Sequence, residues 1–168
     1  CILHKDFLYH YARMAQSDTC LFGRRVMLGA ETSERLLESH DLDSFSFFKL
    51  LRTDSKRLEY ALYLPFLTPF LKPKRIVGSN FCIAKEAMIA INGFDEDYTR
   101  PFYGEDTDVW RRLLINGIKM RSTKFVNLQY HLNHSKKQPH EDWRHNEAMY
   151  RQKKLEGRMQ CKNGLEKL

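Results

Sequence analysis

Gly104-Glu105-Asp106-Thr107-Asp108-Val109-Trp110-Arg111-Arg112-Leu113-Leu114-Ile115-Asn116-Gly117 is the stretch whose reading decides the fold. Val109, Trp110, Leu113 and Leu114 recur at helical spacing, which predicts a helix over 105–115 with that stripe buried. Asn116-Gly117 ends it, because glycine takes left-handed backbone without a Cβ penalty. Three carboxylates crowd the first turn, where free N–H groups and the helix dipole favour negative charge. Asp108 also has Arg112 four residues on as an ion partner. That much needs no chemistry. Glu105 and Asp106, however, project about 100° apart and so face different partners. Such a pair suits one carboxylate that holds a substrate hydroxyl and one that takes its proton.

The flanks carry the rest of the pattern. Tyr98, Phe102, Tyr103 and Trp110 offer flat faces that suit sugar rings or bases as well as ordinary packing. Lys119 to Tyr130 reads as one or two short strands, and His131-Leu132-Asn133-His134 follows. On a continued strand those histidines point to opposite faces, whereas in a turn they converge. Imidazoles with carboxylates hold divalent metals, although a lone H-x-x-H is also common on ordinary surfaces. His140 and His145 fall in a polar stretch and are not read as ligands. Asp41-Leu42-Asp43 has the spacing of a metal–diphosphate motif but lies between two helices.

Upstream, Arg75 to Ala84 reads as a strand and Lys85 to Ile91 as a short helix closed by Asn92-Gly93, with Phe94 packing back on its last turn. Pro65, Pro69 and Pro73 mark a loop. Further helices are predicted over 4–15 (Phe7, Leu8, Tyr11 and Met14 on one face), 31–37, 44–51, and from Asp54 or Ser55 to Tyr63. Thr19 to Leu28 has the composition of one strand, ended by Gly29. Strands and helices in this mixed order predict an α/β protein. No Gly-rich phosphate loop is present. The predicted division is 1–140 as one domain and 141–168 as a charged helical tail that docks loosely.

Composition sets outer limits. At 42% hydrophobic residues the chain has material for a core, so global disorder is excluded. No apolar run reaches the ~18 residues of a membrane span. Cys1, Cys20, Cys82 and Cys161 match neither a CxxC metal site nor a dense disulfide framework, and read as free thiols. The net charge of +7 favours polyanions. Lys49, Arg52, Lys56, Arg57, Lys72, Lys74 and Arg75, against Asp54 and Glu59, make 49–75 the most basic region. It reads as a solvated face or as a surface for an anionic membrane or another acidic ligand.

Three runs in order then become recognisable: Val77-Gly78-Ser79-Asn80-Phe81-Cys82-Ile83-Ala84-Lys85-Glu86-Ala87-Met88, then Ile91-Asn92-Gly93-Phe94-Asp95-Glu96, then Gly104-Glu105-Asp106-Thr107-Asp108-Val109-Trp110-Arg111-Arg112-Leu113. Together they resemble the C-terminal half of inverting glycosyltransferases with the GT-A fold, in particular glycosyltransferase family two and the galactosyltransferase C-terminal segment. The clear likeness covers about 76–135. The resemblance implies a partial GT-A fold, a mixed sheet flanked by helices, with the N-terminal nucleotide-binding half missing. It implies Asp106 as the catalytic base, Glu105, Asp108 and Tyr103 as acceptor contacts, and Gly78, Asn80 and Gly104 near the donor sugar. It implies His131 first and His134 second as ligands of Mn²⁺ or Mg²⁺. Phe102-Tyr103-Gly104 stands where related enzymes often have Trp-Gly-Gly, so donor specificity does not transfer. By the same likeness the chain begins just past the metal-binding acids, which leads us to expect a fragment with little turnover alone.

The function expected is metal-dependent, inverting transfer of a hexose, galactosyltransferase-like, from a nucleotide sugar to a carbohydrate hydroxyl, as in polysaccharide biosynthesis. A second copy of the chain covering a truncated sheet is a further partner, and no nucleic acid is called for. The expected location is cytoplasmic, with membrane-peripheral attachment as an option. Two other classes compete: a basic module for nucleic acid or a membrane surface, and a metal-dependent hydrolase built on Asp106, Asp108, His131 and His134.

Overall fold

The single strand expected over 19–28 is two strands in two different sheets. The computed structural model describes residues 1–40, 46–71, 75–101, 103–135 and 140–168. Phe102, Pro73 and the Asp41/Asp43 pair of the sequence reading lie outside them. The strands are β1 (Ile2–Leu3), β2 (Thr19–Phe22), β3 (Arg24–Met27), β4 (Phe81–Cys82), β5 (Lys119–Ser122) and β6 (Leu128–His131). The helices are α1 (Phe7–Met14), α2 (Ala30–Ser39), α3 (Phe47–Leu50), α4 (Lys85–Ala90), α5 (Glu105–Ile115) and α6 (His140–Glu156). The class is α/β, as expected, with two small mixed sheets in the orders β1-β6-β3 and β4-β2-β5.

The two sheets share one chain path. β2 runs parallel to β5 and β3 parallel to β6, so the β2–β3 and β5–β6 segments travel side by side through both sheets. Between them lies a seam at Gly23. A Cβ there would fall 2.5 Å from Asn80 Nδ2 and 2.7 Å from the Asn127 carbonyl oxygen, so only glycine fits. Asn80 replaces the missing ladder bonds. Its Nδ2 donates to Arg24 O at 2.9 Å and to Asn127 O at 3.1 Å, and its Oδ1 accepts from the Tyr11 hydroxyl at 2.5 Å. Each sheet has its own apolar cluster. Cys20, Phe22, Ile91, Val109 and Leu113 pack in one, and Val26, Leu28, Leu36, Leu50 and Tyr130 in the other.

Helix α5 has the bounds the sequence predicts, but its buried face is partly polar. Val109 and Leu113 are fully buried, whereas Leu114 is exposed and Arg112 is buried instead. Arg112 Nε donates to Asp108 Oδ2 at 2.6 Å and its Nη1 to the carbonyls of Ile91 and Gly93. Arg111 Nη2 donates to Asp108 Oδ1 at 2.8 Å. The pair thus ties α5 to the left-handed Asn92-Gly93 turn that ends α4. Leu8 points to solvent, not into the α1 contact made by Phe7 and Tyr11.

Three further expectations change. The helix from Asp54 is only a 3₁₀ turn at Leu58–Tyr60. Asp54 serves α2 instead, accepting from Glu31 N and from Thr32 Oγ1, and Arg57 is left-handed, which no helix tolerates. Of the strand over 75–84 only Phe81–Cys82 pairs, because Val77 to Asn80 turns. The C-terminal segment is firmly held. Asn92 Nδ2 donates to the carbonyls of Cys161 and Glu166, and its Oδ1 accepts from Glu166 N. Leu165 lies against Gly93, where a Cβ would meet its Cγ at 2.9 Å, while Phe94 is exposed.

Removing one member of a buried ion pair strands the other charge. Asp108→Ala is therefore expected to cost about 3–5 kcal/mol in a urea denaturation measurement. A loss under about 1 kcal/mol would show that the pair does not anchor α5.

Candidate active site

Asp106 is placed by three local features. Gly104 has φ 113°, and a Cβ on it would meet Tyr98 Cε1 at 2.3 Å. Its carbonyl accepts the first helical N–H, from Asp108, at 2.7 Å. Helix α5 therefore starts at one position only, with Asp106 in its first turn. Asp106 is half-buried; its Oδ2 accepts from Gly78 N at 3.2 Å and its Oδ1 from Thr107 Oγ1 at 3.3 Å. An ionised carboxylate has about four acceptor sites. Two are in use, so Asp106 keeps capacity for a hydroxyl. Glu105 beside it is exposed, and its carboxyl is raised above the usual range, by lost hydration first and by the Asp106 charge as well.

From Asp106 a chain of contacts leads across the β3/β6 ladder. Ser79, next to Gly78, gives its hydroxyl to Gln129 Oε1 at 3.2 Å and receives Arg25 Nη1 at 3.3 Å. Gln129 Nε2 donates back to Ser79 O at 2.9 Å. Arg25 and Gln129 are register partners, and the next same-face pair is Met27 with His131. Two residues along a parallel strand is about 6.6 Å. His131 lies there, with its Nε2 3.1 Å from His134 Nε2. His131 Nδ1, the other ring nitrogen, is 3.1 Å from Cys1 Sγ. Arg25 is held below the usual guanidinium range, by burial first and then by repulsion from Arg57, with Asp106 opposing both. Arg24 is lowered as well, with burial the largest cause and Arg57 and Asp106 acting in the same opposed senses.

The predicted site residues thus divide. Asp106 touches Gly78, with Glu105 exposed beside it, and the Gly78-Ser79 turn reaches Arg25 and Gln129, one same-face step along the ladder from His131, whose ring meets His134. Asp108 is fully buried in its ion pair and cannot reach an acceptor. Asn80 is 1% exposed and spent on the seam, and Gly104 is buried under Tyr98, so neither touches a donor. Tyr103 is half-buried and packs on α6, its ring centroid 5.4 Å from that of Trp143 and 6.0 Å from that of Tyr150. Sequence reasoning missed Ser79, Arg25 and Gln129. The available signal was Arg24-Arg25 inside an otherwise apolar strand, since charge there needs a reason.

The histidine pair suits a divalent ion in part. At a metal–nitrogen distance near 2.1 Å, two neighbouring corners of an octahedron are about 3 Å apart. The two Nε2 atoms are 3.1 Å apart, a hydrogen bond between the rings and also close to that spacing. Among the described residues no third His, Cys, Asp or Glu joins them. No helix among the described residues is long and apolar enough to cross a membrane.

Residues 61–136 match a family model described as the N-terminal domain of galactosyltransferase. The match supports a glycosyltransferase-family domain in this chain. Within that class the likeness is galactosyltransferase-like. That description is of an N-terminal domain, whereas the resemblance in the sequence is to a C-terminal segment, so the match carries the glycosyltransferase likeness and not that placement. No curated protein and no solved structure matches the chain.

The placement of Asn80 is open to a direct check. Asn80→Ala leaves two buried carbonyls and the Tyr11 hydroxyl without their partner, at about 1–3 kcal/mol per unpaired group. We expect a clear fall in thermal stability for Asn80→Ala and almost none for Ser79→Ala. Equal melting curves would mean that the seam does not need its amide.

Proposed function

We propose that the chain carries the acceptor-side machinery of a metal-dependent, inverting glycosyltransferase that moves a hexose, galactose by likeness, from a nucleotide sugar to a carbohydrate hydroxyl. The observation that carries this reading is a chain of contacts from the start of α5 to the β3/β6 ladder. A carboxylate with spare acceptor capacity, Asp106, and a pair of imidazoles at metal-ligand separation are linked through Gly78-Ser79, Arg25 and Gln129.

Asp106 accepts the proton of the acceptor hydroxyl as that oxygen attacks the anomeric carbon. The new carbon–oxygen bond forms on the face opposite the breaking bond to the diphosphate, which leaves with its electron pair and so inverts the centre. The Gly78 N–H donates to one carboxylate oxygen and so orients the group. Glu105, exposed one residue away, is available to a second hydroxyl of the acceptor. Tyr103 with Trp143 forms an aromatic wall near the start of α5 that suits the apolar face of a sugar ring. His131 and His134 would hold Mn²⁺ or Mg²⁺, and such an ion supplies charge neutralisation for a leaving diphosphate.

The test is a transfer assay with nucleotide-sugar donors, run on this chain and on an N-terminally extended form. In whichever form turns over, Asp106→Asn should lower kcat by about 10²–10⁴. Affinity for the product nucleoside diphosphate should stay within about twofold, since that group lies on the histidine side. Full transfer by the variant would remove Asp106 from the base role. Product release with no acceptor present, at the same rate, would favour a hydrolase. In a Mn²⁺ titration His134→Ala should weaken binding by at least about tenfold, in the range known for lost metal-site support.

A further inference from the structure

Helix α3 shows most of its apolar surface to solvent. Leu50 is its buried residue and packs in the cluster with Val26 and Tyr130. The helical turn continues past it, with Leu51 N donating to Phe47 O at 3.1 Å and Arg52 N to Lys49 O at 3.3 Å. Phe48 and Leu51, three positions apart, therefore share a side turned away from the core. They are 78% and 53% exposed. Lys49 and Arg52 are exposed beside them. Phe48 also lines an apolar cavity of about 650 Å³, together with Leu3, Lys5, Phe47, Tyr63 and Leu64. Leu3 and Tyr63 are themselves exposed, so the apolar surface continues past α3.

The walls of this cavity are built, not loose. The His4 ring stacks on Tyr63 at a centroid distance of 5.0 Å, and His10 Nε2 lies 2.6 Å from the Tyr63 hydroxyl oxygen. Leu64 N donates to Phe125 O at 3.0 Å, and β1 is paired with β6. A contiguous exposed apolar surface of this kind marks a binding face. Its charge tells what binds. Residues 46–66 hold Lys49, Arg52, Lys56 and Arg57 against Asp54 and Glu59. Asp54 is committed to the start of α2 through Glu31 N and Thr32 Oγ1. The whole chain carries +7. In a two-fold contact a second copy would bring these cations against their own equivalents, which repels. Exposed Phe and Leu interleaved with Lys and Arg instead fit the boundary of an anionic bilayer, where the apolar groups sink among headgroups and the cations meet lipid phosphates. Helix α3 lies outside the span that matches the family model.

We propose that α3 and the apolar cavity beside it form a docking surface for an anionic membrane. Phe48 and Leu51 enter the headgroup layer, and Lys49, Arg52 and Lys5 lie against lipid phosphates. The contact is peripheral and needs no spanning helix. It does not rest on the transferase reading. Two terms hold it, one apolar and one electrostatic, so binding requires both the exposed pair and anionic lipid, and it weakens as salt screens the charges.

The experiment is co-sedimentation of the full chain with vesicles of phosphatidylcholine alone and of phosphatidylcholine mixed with an equal part of phosphatidylglycerol, at low and at high salt. Wild type should partition onto the anionic vesicles at low salt, and onto the neutral ones about tenfold more weakly or less. Phe48→Ser/Leu51→Ser should lower the partition coefficient by about tenfold or more, and so should Lys49→Gln/Arg52→Gln. Matched changes at exposed positions of α2 and α6, Leu37→Ser/Leu155→Ser and Arg144→Gln/Lys154→Gln, should lower it by less than about twofold, since those side chains lie off the surface. Every variant should melt as wild type does. No binding by wild type, equal binding to both vesicle types, or losses as large in the matched changes would each overturn the surface. Light scattering tests the other occupant. A dimer that Phe48→Ser/Leu51→Ser dissolves, with no vesicle binding by wild type, would make this face a contact between copies instead.

Discussion

The rest of the structure depends on the closure of one gap by one side chain. At Gly23 the backbone passes from one sheet to the other, and ladder pairing lapses. Buried peptide groups left unpaired are costly, so such a gap needs a substitute donor. Asn80 provides it, with both amide hydrogens on carbonyls of the two neighbouring strands and its oxygen on Tyr11. Asn80 is also the last residue of the turn that carries Gly78 and Ser79. The bonds that close the gap thus fix the loop that touches Asp106 on one side and Arg25 on the other.

On the face of β3/β6, Arg25 and Gln129 and then Met27 and His131 follow one another in register, and Ser79 joins Arg25 to the turn that touches Asp106. The sheet supplies the order because register is set by backbone pairing and not by the side chains themselves. Opposite charges are kept apart by committing Asp108 to Arg111 and Arg112, and Asp54 to α2.

Legibility in the sequence followed the range of the forces. Helix α5, its glycine stop and the carboxylate turn were readable because spacing and capping are local. So was the Asn92-Gly93 turn, whose left-handed φ values are 61° and 71°. The seam was not readable, because it rests on contacts between residues 23, 80 and 127, far apart in the chain. For the same reason Asn80 and Gly104 read as ligand contacts when their work is structural. Asp108 was visible as a partner of Arg112, but periodicity could not tell that the pair turns inward. The contact of the 141–168 tail through Trp143 was not readable, because its ring partner, Tyr103, is forty positions earlier. Basic residues 56 and 57 were visible as charge, and only the backbone bridge of Lys56 to Met27 sets them beside β3.

The clasp at Asn92 has a mechanical consequence. The final eight residues are stitched to the same turn whose carbonyls receive Arg112, so tension on the C-terminus would be felt at the root of α5. A tether or surface attachment at that end would load the helix that presents the proton acceptor, whereas one fixed to the solvent side of α1 would leave it slack.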